Sequence, residues 1–254
     1  MNRILRAVAS MLWAPLMIAG CSADRANSLG GSAPLAPGAA TTSTLTATPR
    51  FPASPSGWVS GLSNPYLGFE RGRVFHYRAE TPEGVETAVI EVTRDTRTIQ
   101  GVVTTVVHDQ VALNGSLIED TFDWYAQDTD GNVWYFGEDS KQMDHGVVIG
   151  TAGSWEAGVN GAQAGIIMLA EPKVGTRYRQ EYAAGVAEDM ARVQSLSRFV
   201  QVPYGSFDNC LQTFEWTPLD RSVREYKYYA RGVGLVLTTE DKGNVLDQLV
   251  SVKH

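Results

Sequence analysis

The stretch Tyr125–Asp139, "YAQDTDGNVWYFGED", decides the fold, because it reads either as a metal loop or as a tight turn between two strands. An EF-hand loop needs oxygen ligands at positions 1, 3 and 5, glycine at 6 and a bidentate glutamate at 12. Counted from Asp128, the oxygens of Asp128, Asp130 and Asn132 fall correctly, but Gly131 sits at position 4 and Asp139 at position 12. Both points that fix the loop geometry are missed. Asp-Gly between two aromatic runs is instead a strong hairpin signal. A two-residue turn at Asp130–Gly131 sets Gln127 opposite Trp134 and Tyr125 opposite Phe136. Cross-strand pairs of this kind contribute about 0.2–1 kcal/mol each. The turn reading prevails, and a Ca²⁺ site at Asp128, Asp130 and Asn132 is the weaker alternative.

The same argument applied to Asn114–Gly115 sets Val111 opposite Ile118 and Asp109 opposite Asp120. Like charges directly opposite destabilise a sheet. Either a bulge shifts the register, which is the commoner solution, or a bound Ca²⁺ compensates, which adds Asp109 and Asp120 to the weak ligand candidates.

Outward from these hairpins the pattern repeats. "RVFHYRAE", "TAVIEVTRD", "GVVTTVVHDQVAL", "SFDNCLQTFEW" and "SVREYKYYA" are rich in Val, Thr and aromatic residues, and short turns separate them. Short turns imply hairpins and therefore antiparallel pairing. The expected fold is all-β, a curved antiparallel sheet or open barrel with at most one or two helices. "VAEDMARVQSLSRF" carries both a helical and an alternating pattern, with strand favoured, and "VLDQLVSVK" is a further helix alternative. Between Gly150 and Lys173 the alternation gives way to a glycine-rich stretch, a lid, a plug or a crossover. "NPYLGFERGRVFHYR" and "EPKVGTRYRQEY" both place an aromatic three residues after a glycine. That echo reflects either duplication or a common way to begin a strand.

Upstream the composition changes twice. Arg3 and Arg6 precede "AVASMLWAPLMIAG", an apolar run too short for a span, which needs about 20 residues. Residues 1–20 read as a secretory signal. The run closes on "IAGC", which resembles the lipobox of bacterial lipoproteins. That resemblance implies cleavage before Cys21 and acylation of its thiol, hence stable anchoring to a membrane. Ser22 after the cysteine points, by the same resemblance, to the outer membrane. Residues 21–61 are rich in Ala, Pro, Ser and Thr and read as a flexible tether of about 35 Å average reach. Residues 62–254 remain as one β-rich domain.

Without residues 1–20 the chain carries 19 basic residues (21 less Arg3 and Arg6) against 28 acidic ones. A net charge of −9 with no basic cluster makes a poor nucleic-acid binder, since most of that affinity comes from neutralising phosphates. With Cys21 acylated, Cys210 has no disulfide partner and reads as a small hydrophobe in a strand. His76, His108, His145 and His254 show no metal-ligand spacing, and no nucleophile elbow, Walker loop or HExxH motif is present. Glu188–Asp189 reads as a solvated pair, and Ser154 and Glu156 are the residues on which a cryptic hydrolase would rest.

"VQVPYGSF" at 200–207, Cys210-Leu211 and "YARGVGLV" at 229–236 resemble the signature of a family of uncharacterised bacterial lipoproteins, with Tyr204 and Arg231 standing where that family has Ala and Pro. Such proteins look like relatives of the LolA/LolB-type open barrel around a hydrophobic cavity. The resemblance implies a non-catalytic envelope lipoprotein that binds a hydrophobic or lipid-like ligand and uses no cofactor. The alternative is an interaction module that docks on an envelope protein through an exposed aromatic sheet edge.

Overall fold

A computed structural model of the chain describes residues 51–52 and 57–254. The signal segment, Cys21 and all but the last residues of the expected tether lie outside the described residues. The sheet begins slightly before the expected boundary at Leu62, with β1 (Trp58–Val59). It continues as β2 (Val74–Thr81), β3 (Gly84–Ile99), β4 (Val102–Leu113), β5 (Ser116–Asp128) and β6 (Val133–Asp144). β7 (Val147–Gly150) leads into the glycine-rich stretch, which contributes β8 (Trp155–Glu156) and β9 (Gln163–Met168). Then come β10 (Arg177–Arg179), β11 (Glu181–Tyr182), β12 (Met190–Val202), β13 (Gly205–Trp216), β14 (Arg224–Ala230), β15 (Gly234–Glu240) and β16 (Val245–Lys253). Every pairing is antiparallel, and both segments with a helical alternative, now β12 and β16, are strands.

The sheet runs β10-β12-β13-β14-β15-β16-β2-β3-β4-β5-β6-β9-β11. Its two ends are neighbours in the chain, because only Gln180 separates β10 from β11. One short stretch therefore pairs with β12 through Arg177–Arg179 and with β9 through Glu181–Tyr182. This stitch curls the sheet into a nearly closed barrel. At the seam a Cβ on Gly165 would lie 2.4 Å from the backbone carbonyl of Gln180, so glycine alone permits the approach.

The echo between the halves has a structural counterpart. Gly72 N–H donates to Val92 O at 2.7 Å and Val92 N–H to Arg73 O at 2.9 Å. Gly175 N–H donates to Val193 O at 2.9 Å and Val193 N–H to Thr176 O at 2.9 Å. Each glycine is followed by an inward aromatic, Phe75 or Tyr178, and the next strand loses register just past Val92 and just past Val193. Another register shift follows at matching places, beside Tyr125 on β5 and beside Tyr229 on β14. The barrel is thus two repeats of one strand pattern, β2–β6 with β9 and β10 with β12–β16, and β11 lies at the seam between them.

Two registers differ from expectation by one residue. The Tyr125–Asp139 hairpin turns over three residues: Gly131 N–H donates to Asp128 O at 3.0 Å, and Asp128 N–H to Asn132 O at 2.9 Å. Gly131 lies at φ +94°, the left-handed position that such a turn needs. Tyr125 consequently faces Tyr135, and Ala126 faces Trp134. The Asn114–Gly115 turn does hold two residues, but a bulge beyond Ala112 sets Val111 opposite Glu119 and Asp109 opposite Thr121. The bulge solution is the one observed.

The barrel wall separates two packed regions. Outside, Trp134 and Phe136 are covered by Phe51 and Trp58, with ring centroids 5.3 to 6.3 Å apart. Inside, one half is filled by Phe69, Phe75, Tyr77, Tyr125, Tyr135, Leu211 and Leu249, all buried. The other half is filled quite differently.

Candidate functional site

Strand alternation puts acidic residues on the inward face toward one end of the barrel. β3 supplies Glu86, β4 Asp109 and β5 Glu119 and Asp123, while β6 supplies Glu138 and the seam Glu181. From the second repeat come Glu215 on β13, Glu225 on β14 and Asp247 on β16. All are buried. A carboxylate taken out of water is costly unless it is paired, hydrogen-bonded or protonated.

The second repeat uses a cation. Lys227, 3 % exposed, sits with Nζ 3.0 Å from Glu215 Oε2 and 4.0 Å from Glu225 Oε2. Thr213 Oγ1 donates to Glu215 Oε1 at 2.6 Å, and Tyr229 OH donates to the same oxygen at 3.4 Å. Burial alone would lower the Lys227 ammonium, but Glu215 and Glu225 outweigh it and raise the pKa. Burial raises the Glu225 carboxyl to about 7, with Lys227 opposing the shift.

The first repeat has neutral donors instead. Tyr135 OH donates to Asp123 Oδ1 at 2.7 Å, and Trp155 Nε1 to Glu181 Oε2 at 3.0 Å. Thr121 Oγ1 lies 3.1 Å from Glu119 Oε1 and 3.0 Å from Ser140 Oγ. Asp109, 3 % exposed, keeps one oxygen, Oδ1, without a hydrogen-bond partner. Burial, followed by the negative field of Asp123 and Glu119, raises its carboxyl pKa. Burial pushes Glu86 up to about 8, with Glu119 adding to it, and Asp123 up to about 7 against the opposing Tyr135 hydrogen bond. Glu138, Glu181 and Asp247 are raised as well, burial again being the main cause.

The candidate residues of the weaker Ca²⁺ alternative are not brought together. Asp128 is saturated within its own turn, accepting from Asn132 N at 2.8 Å, Asn132 Nδ2 at 3.0 Å and Trp134 Nε1 at 2.8 Å. Asn132 Oδ1 accepts from Ala170 N at 2.9 Å, and Asp130 is exposed. Because of the bulge, Asp109 points inward while Asp120 points outward, where it bonds His108 Nε2 at 2.7 Å and Gln110 Nε2 at 3.1 Å. Among the described residues, no three His, Cys, Asp or Glu side chains are grouped to hold a metal ion.

Other singled-out residues have structural roles. Ser154 Oγ accepts from Ser140 N at 2.9 Å and donates to Ser140 O at 3.1 Å, and Glu156 pairs with Arg97. Glu188 caps Gly185 N–H at 2.9 Å. Asp189 is half-buried rather than fully solvated: burial raises its carboxyl to about 7 against a Thr217 hydrogen bond, and its enclosed Oδ1 has no partner. The acidic interior itself escaped sequence reasoning. Its signal was present in "EDTFDWY" and "REYKYYA", where Glu119, Asp123 and Tyr125, or Glu225, Lys227 and Tyr229, share one face of a strand.

The fold and this interior define an all-antiparallel, twofold-repeated β-barrel with one greasy and one acidic half. No family model matches the chain, and no curated protein matches it. Among solved structures it is similar to a chain from Parabacteroides distasonis ATCC 8503, classed provisionally as a lipoprotein. The two share 11% identity at a TM-score of 0.39, over 75% of this chain and 99% of that one.

Proposed function

We propose that the chain is a non-catalytic cell-envelope lipoprotein, held by an acylated Cys21 at the outer membrane, whose barrel docks on an envelope protein. The observation that carries the docking reading is an edge. β7 pairs with β6 along one side and with no other described strand, and its Val147, Val148 and Ile149 are 63 %, 48 % and 59 % exposed. An unpaired apolar edge is a template for a partner strand. Carriage of a lipid-like ligand has less support, since Tyr77, Tyr125, Tyr135 and Phe75 fill the greasy half. A depression of about 40 Å³ beside Leu62, Pro65, Phe69 and Gly232 falls far below the roughly 300–1,000 Å³ of ligand pockets.

The test places a photo-crosslinking residue at position 149 of the full chain in native membranes. A discrete protein adduct that Val148→Lys abolishes is expected. A stoichiometric lipid in native mass spectra, with no adduct, overturns docking in favour of carriage. Loss of palmitate incorporation in Cys21→Ala tests the anchor separately.

A further inference from the structure

We propose that the acidic half of the barrel is a proton-operated lock: the strands close on protonated carboxyls, and ionisation above neutral pH loosens the hairpins that rim it. The argument starts from the repeat. Ile90 faces Asp109 as Ala191 faces Glu215, and Val107 faces Asp123 as Thr213 faces Lys227. The position held by an ammonium in one half is therefore held by a carboxyl in the other. Glu215 has Lys227 to balance it, while its counterpart Asp109 has Asp123 and an oxygen that accepts no hydrogen bond.

The surroundings of Asp109 add negative charge from every side. Glu86 on β3 and Asp247 on β16 lie within its field, as do Glu119 and Asp123 on β5. Tyr77 on β2 feels both Asp109 and Asp247, with Arg73 as the opposing cation. Asp123 is in turn felt by Glu138 on β6 and by Glu181 at the seam. The Lys227 ammonium reaches Asp247, Glu181, Asp189 and Glu225, the last also beside Glu240. Glu83, in the β2–β3 turn, acts on Glu86 at the rim. Lys227 pairs with Glu215 and Glu225, which leaves protons to neutralise the carboxyls it does not pair. Burial and mutual repulsion favour the neutral acids to near pH 7–8.

The test is hydrogen exchange on the full chain at pH 5.5 and 8.5, corrected for the intrinsic rate. Exchange in the rim turns 82–83, 114–115 and 241–244 and their flanking strands is expected to rise about tenfold or more with pH. The strand segments around Phe75 and Leu211 should hold. Asp109→Asn with Glu86→Gln, which keeps shape and removes two ionisations, should cut the rise to about threefold or less. No rise in the unsubstituted chain, or a rise untouched by the substitutions, overturns the lock. Infrared spectra of the unsubstituted protein guard against a variant that misfolds: a buried protonated-carboxyl band is expected at pH 6 and its absence refutes the idea. Suppression of the rise by millimolar Ca²⁺ or Mg²⁺ at pH 8.5 would assign the site to a cation and refute it equally.

Discussion

Asp109 and Asp120 lie on neighbouring strands, yet on opposite faces of the sheet: one bulge beyond Ala112 sends Asp109 into the barrel opposite Thr121 and leaves Asp120 outside against His108. A like-charge clash is thereby exchanged for a buried carboxyl whose neutral form is favoured. The pH behaviour of the whole molecule follows from that choice and from its repetition around the interior.

Stability should fall as pH rises. In the unfolded chain these carboxyls lose their protons near pH 4. In the fold they keep them to about 7 for Asp123, Asp189 and Glu225 and to about 8 for Glu86. Between those values the folded state binds more protons, so the stabilisation is complete below about pH 4 and is lost progressively up to about 8. Urea midpoints at pH 5, 7 and 8.5 should descend in that order, the reverse of ordinary acid denaturation.

Replacing Lys227 by Met should cost roughly 3–5 kcal/mol at pH 8, because Glu215 and Glu225 are then buried without their ammonium. At pH 5 the loss should shrink, since protons can substitute. Equal losses at both pH values would remove Lys227 from the charge balance.

Gly165→Ala should open the seam. Its Cβ would meet the Gln180 backbone at 2.4 Å, whereas at Gly161, φ +81°, nothing lies within 4 Å. The first change should cost roughly 1–3 kcal/mol and speed hydrogen exchange in β9 and β11. Gly161→Ala strains its own backbone by about 1 kcal/mol but meets no seam atom, so it should leave exchange in β11 alone.

Cys210 should be silent to thiol reagents in the folded protein. It is fully buried, and burial with Asp208 nearby pushes its thiol up to about 11. Reaction should track global unfolding in urea; fast labelling under native conditions would contradict the packing.

Trp58→Ala should strip the cover from Trp134 and Phe136, at a cost of about 2 kcal/mol, with a red shift in tryptophan emission. An unshifted spectrum would show the outer aromatic cluster to be dispensable.

Much of the fold was legible from short-range chemistry. Valine- and tyrosine-rich runs separated by turn residues marked β2–β6 and β12–β16, and the clash expected between Asp109 and Asp120 foretold the bulge. The one-residue error at Tyr125–Asp139 came from reading Asp-Gly as a two-residue turn, when Asn132 and Trp134 bind Asp128 and draw a third residue into the loop. The seam was illegible because β10 and β11 are too short to carry a pattern and are fixed by partners distant in sequence. The acidic interior was hidden for another reason: alternation assigns charged residues to water, and only barrel closure turns Glu86, Glu119 and Glu225 inward.

The pairing of β16 with β2 joins Val252 to Phe75 and Leu249 to Tyr77. Synthesis must therefore pass β16 before the ring can form, and any shorter nascent portion lacks a mate for the β2 edge. Such a chain stays threadable for as long as it is being made, as the proposed export across a membrane would require.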